Sequence, residues 1–173
     1  MKSTITYKVS LGKDSYCIFI GNKNLENITK YIPNYENYSK KQILSLIKLS
    51  RLLIKKFKIK SSNIVGHSDI SFDRKVDPGE KFPWKFLSKK KIGIWHQLHK
   101  EKLRKLRKKK ITEVQKRQCL NFIKKIGYFV KKNNKKNKIK LFKNFQRRFR
   151  QELINGILDK ECLIIAEKLS KIS

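Results

Sequence analysis

"NIVGHSDISFDRKVDPGEKFPW", residues 63–84, differs in kind from the chain around it, which is dominated by lysine, isoleucine, leucine and asparagine. Within it, residues 66–79 gather one histidine, three aspartates, an arginine and a lysine, and end on Pro78-Gly79. "SSNIVG", residues 61–66, reads as a brief β-strand that delivers His67 at its end, followed by a loop running to Pro83. A zinc hydrolase site needs nitrogen and oxygen ligands, usually three from the protein, with the fourth position open to water. His67 and Asp77 offer both atom types, and they face one ion if the loop folds back over the strand. Lys75 would then place positive charge beside a developing oxyanion. Asp69 and Arg74 read as a local charge-assisted hydrogen bond that braces the loop. On spacing alone the plainer reading, a hydrogen-bonded surface histidine in a charged loop, is the stronger.

Upstream, "SKKQILSLIKLSRLLIKKF" (39–57) opens with Ser39 and Gln42 in capping-box spacing. Its Ile43, Leu46, Ile47, Leu53, Ile54 and Phe57 fall on one helical face. Earlier still, "SYCIFIGN" (15–22) is a short aromatic and β-branched run between glycine-containing turns, and reads as a buried strand. An Asn- and Tyr-rich loop up to Pro33 separates the two. Downstream, a short helix is expected after Pro83, anchored by Trp84, Phe86 and Leu87. "KKKIGIWHQLHKEKLRKLRKKK" (89–110) carries a thin leucine stripe in dense positive charge and reads as a basic helix or linker. Three short helices are expected beyond it: one stopping at Gly127, one in "IKLFKNFQRRFRQELI", and one starting near Asp159 after a turn at Asn155-Gly156.

The net charge of +32, from 45 Lys and Arg against 13 Asp and Glu, favours any polyanion: nucleic acid, anionic lipid or acidic wall polymer. The excess is mostly lysine, accompanied by isoleucine and asparagine, a trio that an AT-rich coding sequence produces without selection for a ligand. Cys17, Cys119 and Cys162 are too widely spaced for a zinc knuckle and odd in number, so reduced, buried side chains are expected. No run is apolar enough for a transmembrane span, and residues 1–8 lack the core of a signal peptide. The chain as written is therefore expected in the cytoplasm, or in the cell envelope if the true start lies upstream.

Taken together, Gly-His-Ser-Asp, then Arg-Lys-x-Asp-Pro-Gly, then Phe-x-Trp, residues 66–84 resemble the C-terminal signature of the zinc-dependent N-acetylmuramoyl-L-alanine amidases of the amidase type 2 family. That family is itself similar to peptidoglycan recognition proteins. The resemblance implies that His67 and Asp77 are zinc ligands and that Lys75 is the catalytic lysine near the scissile amide. A second resemblance lies in the tail. "CLNFIKKIGYFV" and "LFKNFQRRFRQELINGILDKE" are similar to the three-helix peptidoglycan-binding domain type 1. The implied fold is α/β: a partial mixed β-sheet flanked by helices over residues 1–92, a basic helical linker at 93–112, and a small three-helix domain at 113–173.

Two departures follow from the same comparison. The family carries a first zinc histidine in a His-Tyr pair on an early strand, whereas no histidine precedes His67. Its general-base glutamate falls where this chain has Phe19. The resemblance thus implies a chain lacking an N-terminal portion and one ligand. Such losses weaken metal binding and remove a base that typically contributes about 10²–10⁴-fold.

Other residues carry plainer expectations. His96 and His99, three apart on an expected helix, have a spacing compatible with metal but read better as a solvated face. Trp84 and Trp95 read as core more readily than as sugar platforms, and Phe145 with Phe149 as the core of the tail. Arg147, Arg148 and Arg150 offer contacts for stem-peptide carboxylates, with a solvated face as the default.

The leading expectation is an amidase that hydrolyses the bond between N-acetylmuramic acid and L-alanine through zinc-activated water, with activity impaired by the losses above. Peptidoglycan or muropeptides would be its partners. The alternative is a catalytically dead remnant that still binds peptidoglycan. A third reading is a basic nucleic-acid-binding protein using residues 89–110, with non-specific affinity.

Overall fold

The computed structural model describes residues 5–9, 16–20, 37–129 and 134–172, the two strands as backbone only. It divides into two units, Met1–Asn37 and Tyr38–Ser173. In the first, β1 (Ile5–Val9) pairs antiparallel with β2 (Tyr16–Ile20), in register from Ile5 opposite Ile20 to Val9 opposite Tyr16. β2 is the strand expected at 15–22. The side chains of Cys17 and Phe19, and the loop expected up to Pro33, lie outside the described residues.

The α/β arrangement with a partial mixed sheet is corrected. Among the described residues the sheet is this one antiparallel pair, and the regular structure from Tyr38 onward is helical. The strand expected at 61–66 is instead a 3-10 turn, Ser61–Asn63. The turn is held by Asn63 N–H donating to Lys60 O at 3.0 Å, and its Ser61 hydroxyl donates to the distant Lys91 O at 3.0 Å. Short polar side chains of this kind compete with ladder hydrogen bonds and favour turns.

The second unit begins with α1 (Lys40–Phe57), whose capping box forms as the sequence predicts. Ser39 N–H donates to Gln42 Oε1 at 2.8 Å, and Gln42 N–H donates to Ser39 Oγ at 3.2 Å. Its Ile43, Leu46, Ile47 and Ile54 pack with Leu87 and Ile92. Leu53 and Phe57, expected on the same face, are exposed. Then come α2 (His67–Ile70), α3 (Trp84–Ser88), α4 (Lys100–Leu106), α5 (Glu113–Lys125), α6 (Lys135–Phe149) and α7 (Lys160–Leu169). α3 buries Trp84 and Leu87 but leaves Phe86 exposed.

α4 starts later than the basic stretch suggested, because residues 92–96 are buried and irregular. Gly93 sets that path at φ +74°, and a Cβ there would meet the Trp84 ring at 2.9 Å. Ile94, Trp95, Leu103 and Ile111, all from the stretch read as a linker, are buried in one cluster with Cys119, Ile123, Leu141, Phe145, Phe149, Cys162 and Leu169. Leu141, Phe145 and Phe149 recur every four residues and form the apolar stripe of α6, as expected for Phe145 and Phe149. Cys119 and Cys162 are free and buried, and burial pushes the Cys162 thiol up to about 12. No described helix is long and apolar enough to cross a membrane.

Candidate functional site

His67 stands not at a strand end but in the first position of α2, after Gly66. A Cβ on Gly66 would meet Pro78 Cδ at 2.6 Å and the Trp84 ring at 3.3 Å, so only glycine admits this packing. From α2 the chain turns through residues 71–76 and returns. Ser68 N–H donates to Asp77 O at 2.9 Å, and the Tyr38 hydroxyl donates to Pro78 O at 2.7 Å. The closure sets His67 Nδ1 3.2 Å from Asp77 Oδ2, with their side chains 49% and 59% exposed. The two side chains that the sequence singled out are thus brought together at the surface. Lys75 is exposed, its N–H donating to Ser71 O at 2.8 Å, and among the described residues its side chain makes no hydrogen bond or ion pair with either of them.

The fold subordinates the expected Asp69–Arg74 brace to a larger one. Arg74 donates to Ser71 Oγ at 3.3 Å instead. Asp69 is buried, accepting from Gly66 N–H at 2.7 Å, the Tyr128 hydroxyl at 2.5 Å, Asn144 Nδ2 at 3.4 Å and the Arg148 guanidinium in a close ion pair. Arg148 also donates to Ile64 O at 3.1 Å and lies 4.2 Å from the centroid of the Trp84 ring. Burial, reinforced by the Asp69 carboxylate, pushes the Tyr128 phenol well above its usual range. The phenol therefore stays a hydrogen-bond donor.

Asn144 and Arg148 belong to a polar stripe along α6 and the turn after it. Lys140 Nζ donates to Asp73 O at 2.5 Å, Asn144 Nδ2 to Ser68 O at 2.9 Å, and Gln151 Nε2 to Phe82 O at 2.7 Å, while Arg147 lies 3.6 Å from Glu80. Positions 140, 144, 147 and 148 share one helical face, and Gln151 follows in the turn after it. The stripe was missed in the sequence because charged and amide residues at that spacing are the usual mark of a solvated face. Its one sequence cue is position, directly beside the apolar stripe 141, 145 and 149. The arginine run is corrected accordingly: Arg148 and Arg150 are buried, the latter in close contact with Asp159 and 3.4 Å from Glu161, and neither is free for stem-peptide carboxylates.

His96 is likewise not on a solvated helix face. It is buried outside any helix, its Nδ1 accepting from Leu98 N–H at 3.0 Å, and burial pulls its pKa down from 6.5 to about 4. His99 is the exposed N-cap residue of α4. Among the described residues, no group of three His, Cys, Asp or Glu side chains is close enough to hold one ion.

Over residues 12–80 the chain matches the family described as N-acetylmuramoyl-L-alanine amidase. Those residues resemble that amidase family. The chain is 35% identical over 129 residues to the N-acetylmuramoyl-L-alanine amidase AmiD of Escherichia coli K12, covering 74% of this chain and 47% of AmiD. It is 42% identical over 52 residues to the 1,6-anhydro-N-acetylmuramyl-L-alanine amidase AmpD of Haemophilus influenzae, covering 30% of this chain and 28% of AmpD. In three dimensions it is similar to AmiD in complex with anhydro-N-acetylmuramic acid-L-Ala-D-γ-Glu-L-Lys, with a TM-score of 0.68 and 30% identity over 79% of this chain and 53% of that one. AmpDh3 of Pseudomonas aeruginosa gives a TM-score of 0.65 and 29% identity over 80% of this chain and 56% of that one. The chain spans about half the length of AmiD. The amidase resemblance read from residues 66–84 therefore recurs in the match over residues 12–80 and in the similarity to AmiD.

Proposed function

We propose that this chain hydrolyses the amide between N-acetylmuramic acid and L-alanine in peptidoglycan or its fragments. The observation that carries the reading is the 3.2 Å approach of His67 Nδ1 to Asp77 Oδ2 within the amidase-matched segment. Two ligands each about 2.0–2.1 Å from a tetrahedral zinc ion sit about 3.3 Å apart, so this nitrogen and oxygen fit one shared ion. Both side chains face solvent, which leaves room for a substrate carbonyl. Zinc bound there supplies a Lewis acid that brings water to a pKa of about 7 and polarises a carbonyl.

The protein's share is positional. His67 and Asp77 would hold the ion, and the Lys75 ammonium would donate to the carbonyl oxygen as negative charge builds there. Water adds to the carbonyl carbon, the C–N bond breaks, and the alanine nitrogen leaves as the amine carrying a proton given up by that water. Incubating the chain with zinc and anhydromuramyl-L-Ala-D-γ-Glu-L-Lys, the substrate in the AmiD complex, and following release of the peptide by mass spectrometry tests the reading. Release that a His67→Ala variant abolishes is expected. Turnover no greater than that of His67→Ala would overturn the claim of catalysis.

One observation favours a second reading, a peptidoglycan binder without turnover: Phe19 stands where the resemblance places the general base. Cosedimentation with purified cell wall in the absence of any peptide release would support it.

A further inference from the structure

The 3.2 Å pair sits on an exposed turn, and exposed turns do not hold two side chains at ligand spacing unaided. The backbone bond that closes the turn is Ser68 N–H to Asp77 O. The Tyr38 hydroxyl adds a bond to Pro78 O, and further grip comes from α6 and Tyr128. Asn144 Nδ2 holds Ser68 O on the opposite edge of the residue whose N–H holds Asp77, so two hydrogen bonds in series join α6 to the second ligand. Arg148 and Tyr128 hold Asp69, which accepts the Gly66 N–H at the start of α2 and thereby sets the helical turn that carries His67.

We propose that Asn144 and Arg148 are positioning residues for the His67–Asp77 pair, so that α6 is part of the site rather than of a separately acting module. The role of the pair itself rests on the amidase reading above.

The chemistry of Asn144 argues for more than packing. It is buried, and its Oδ1 has no hydrogen-bond partner. An amide with one end unsatisfied costs stability that an apolar side chain of similar shape would not. What asparagine adds is the donor to Ser68 O. Arg148 is similar: its Nε is buried without a partner while its two terminal nitrogens bind Asp69 and Ile64 O. Both side chains direct their donors to Ile64, Ser68 and Asp69, around His67.

The test compares Asn144→Leu and Arg148→Lys with Arg150→Lys, which perturbs an equally buried ion pair in the same helical region away from the turn. Zinc affinity is read by calorimetry and local closure by hydrogen exchange of the Ser68 amide. Asn144→Leu is expected to bind zinc about 10–100-fold more weakly, with faster Ser68 exchange and a lowered thermal midpoint, because the buried Ser68 O loses its donor. Arg148→Lys is expected to weaken binding as well, and Arg150→Lys to lower the midpoint without weakening binding. Wild-type affinity in a folded Asn144→Leu, or an equal loss in Arg150→Lys, would overturn the proposal. A wild type that binds no zinc sinks the amidase reading alone. Ser68 exchange then decides: acceleration in Asn144→Leu supports the positioning role, and unchanged exchange overturns it.

Discussion

Asp69 is a carboxylate shut away from water, and apart from the Gly66 N–H its donors lie 59 to 79 residues ahead in the chain. Removing one partner of a buried ion pair leaves an uncompensated charge, so Asp69→Ala is expected to lose about 3–5 kcal/mol in urea unfolding. Arg74→Ala, at an exposed residue with a single long bond to Ser71, should change stability by less than about 0.5 kcal/mol. Reversal of that order would contradict the assignment of the brace. His96 makes a second prediction. Folded, it stays neutral until about pH 4; unfolded, it takes a proton near 6.5. Between those values the unfolded chain binds more protons, so stability is complete above 6.5 and falls as acid is added. The difference corresponds to roughly 3 kcal/mol. The loss measured between pH 7 and 4.5 should shrink in His96→Gln, and equal losses in the two proteins would contradict it. At this scale the sequence named His67 and Asp77 because their chemistry is unusual in a lysine-rich chain. Asp69 was assigned the wrong arginine because a local candidate, Arg74, was in view and the true partner was not.

Among the elements, α6 works with two adjacent stripes, 141, 145 and 149 into the core and 140, 144, 147 and 148 onto the turn that carries the site. Phe145 is fully buried, and Phe145→Ala is expected to cost about 3–5 kcal/mol and to loosen the turn with the helix. Proteolysis within residues 66–82 would report that loosening; a destabilised variant with an unaltered cleavage pattern there would argue that the two stripes act independently. Helix starts were legible because caps are local: Ser39–Gln42, and Asp159, whose side chain accepts from Cys162 N–H at 3.0 Å, are read within four residues. The buried path of residues 92–96 was not legible, because it depends on Gly93 lying against a ring nine residues back and on burial that dense lysine on either side disguises. Nor was the turn at Ser61–Asn63, where two apolar residues after a polar trio imitate a strand.

For the molecule as a whole, the charge of +32 and the site are separable properties. Attraction to polyanions is expected regardless of catalysis, and its signature is counterion release: affinity for double-stranded DNA should be independent of sequence and fall linearly in log K against log salt. Binding that survives high salt and discriminates sequences would instead support a dedicated nucleic-acid function. Amidase chemistry depends on something narrower, one imidazole and one carboxylate sharing an ion on a turn that α6 grips. The most direct measurement is anomalous scattering at the zinc edge from crystals grown with zinc. A peak within bonding distance of both His67 Nδ1 and Asp77 Oδ2 is predicted. No peak there, or zinc only at His96 or His99, would contradict the account.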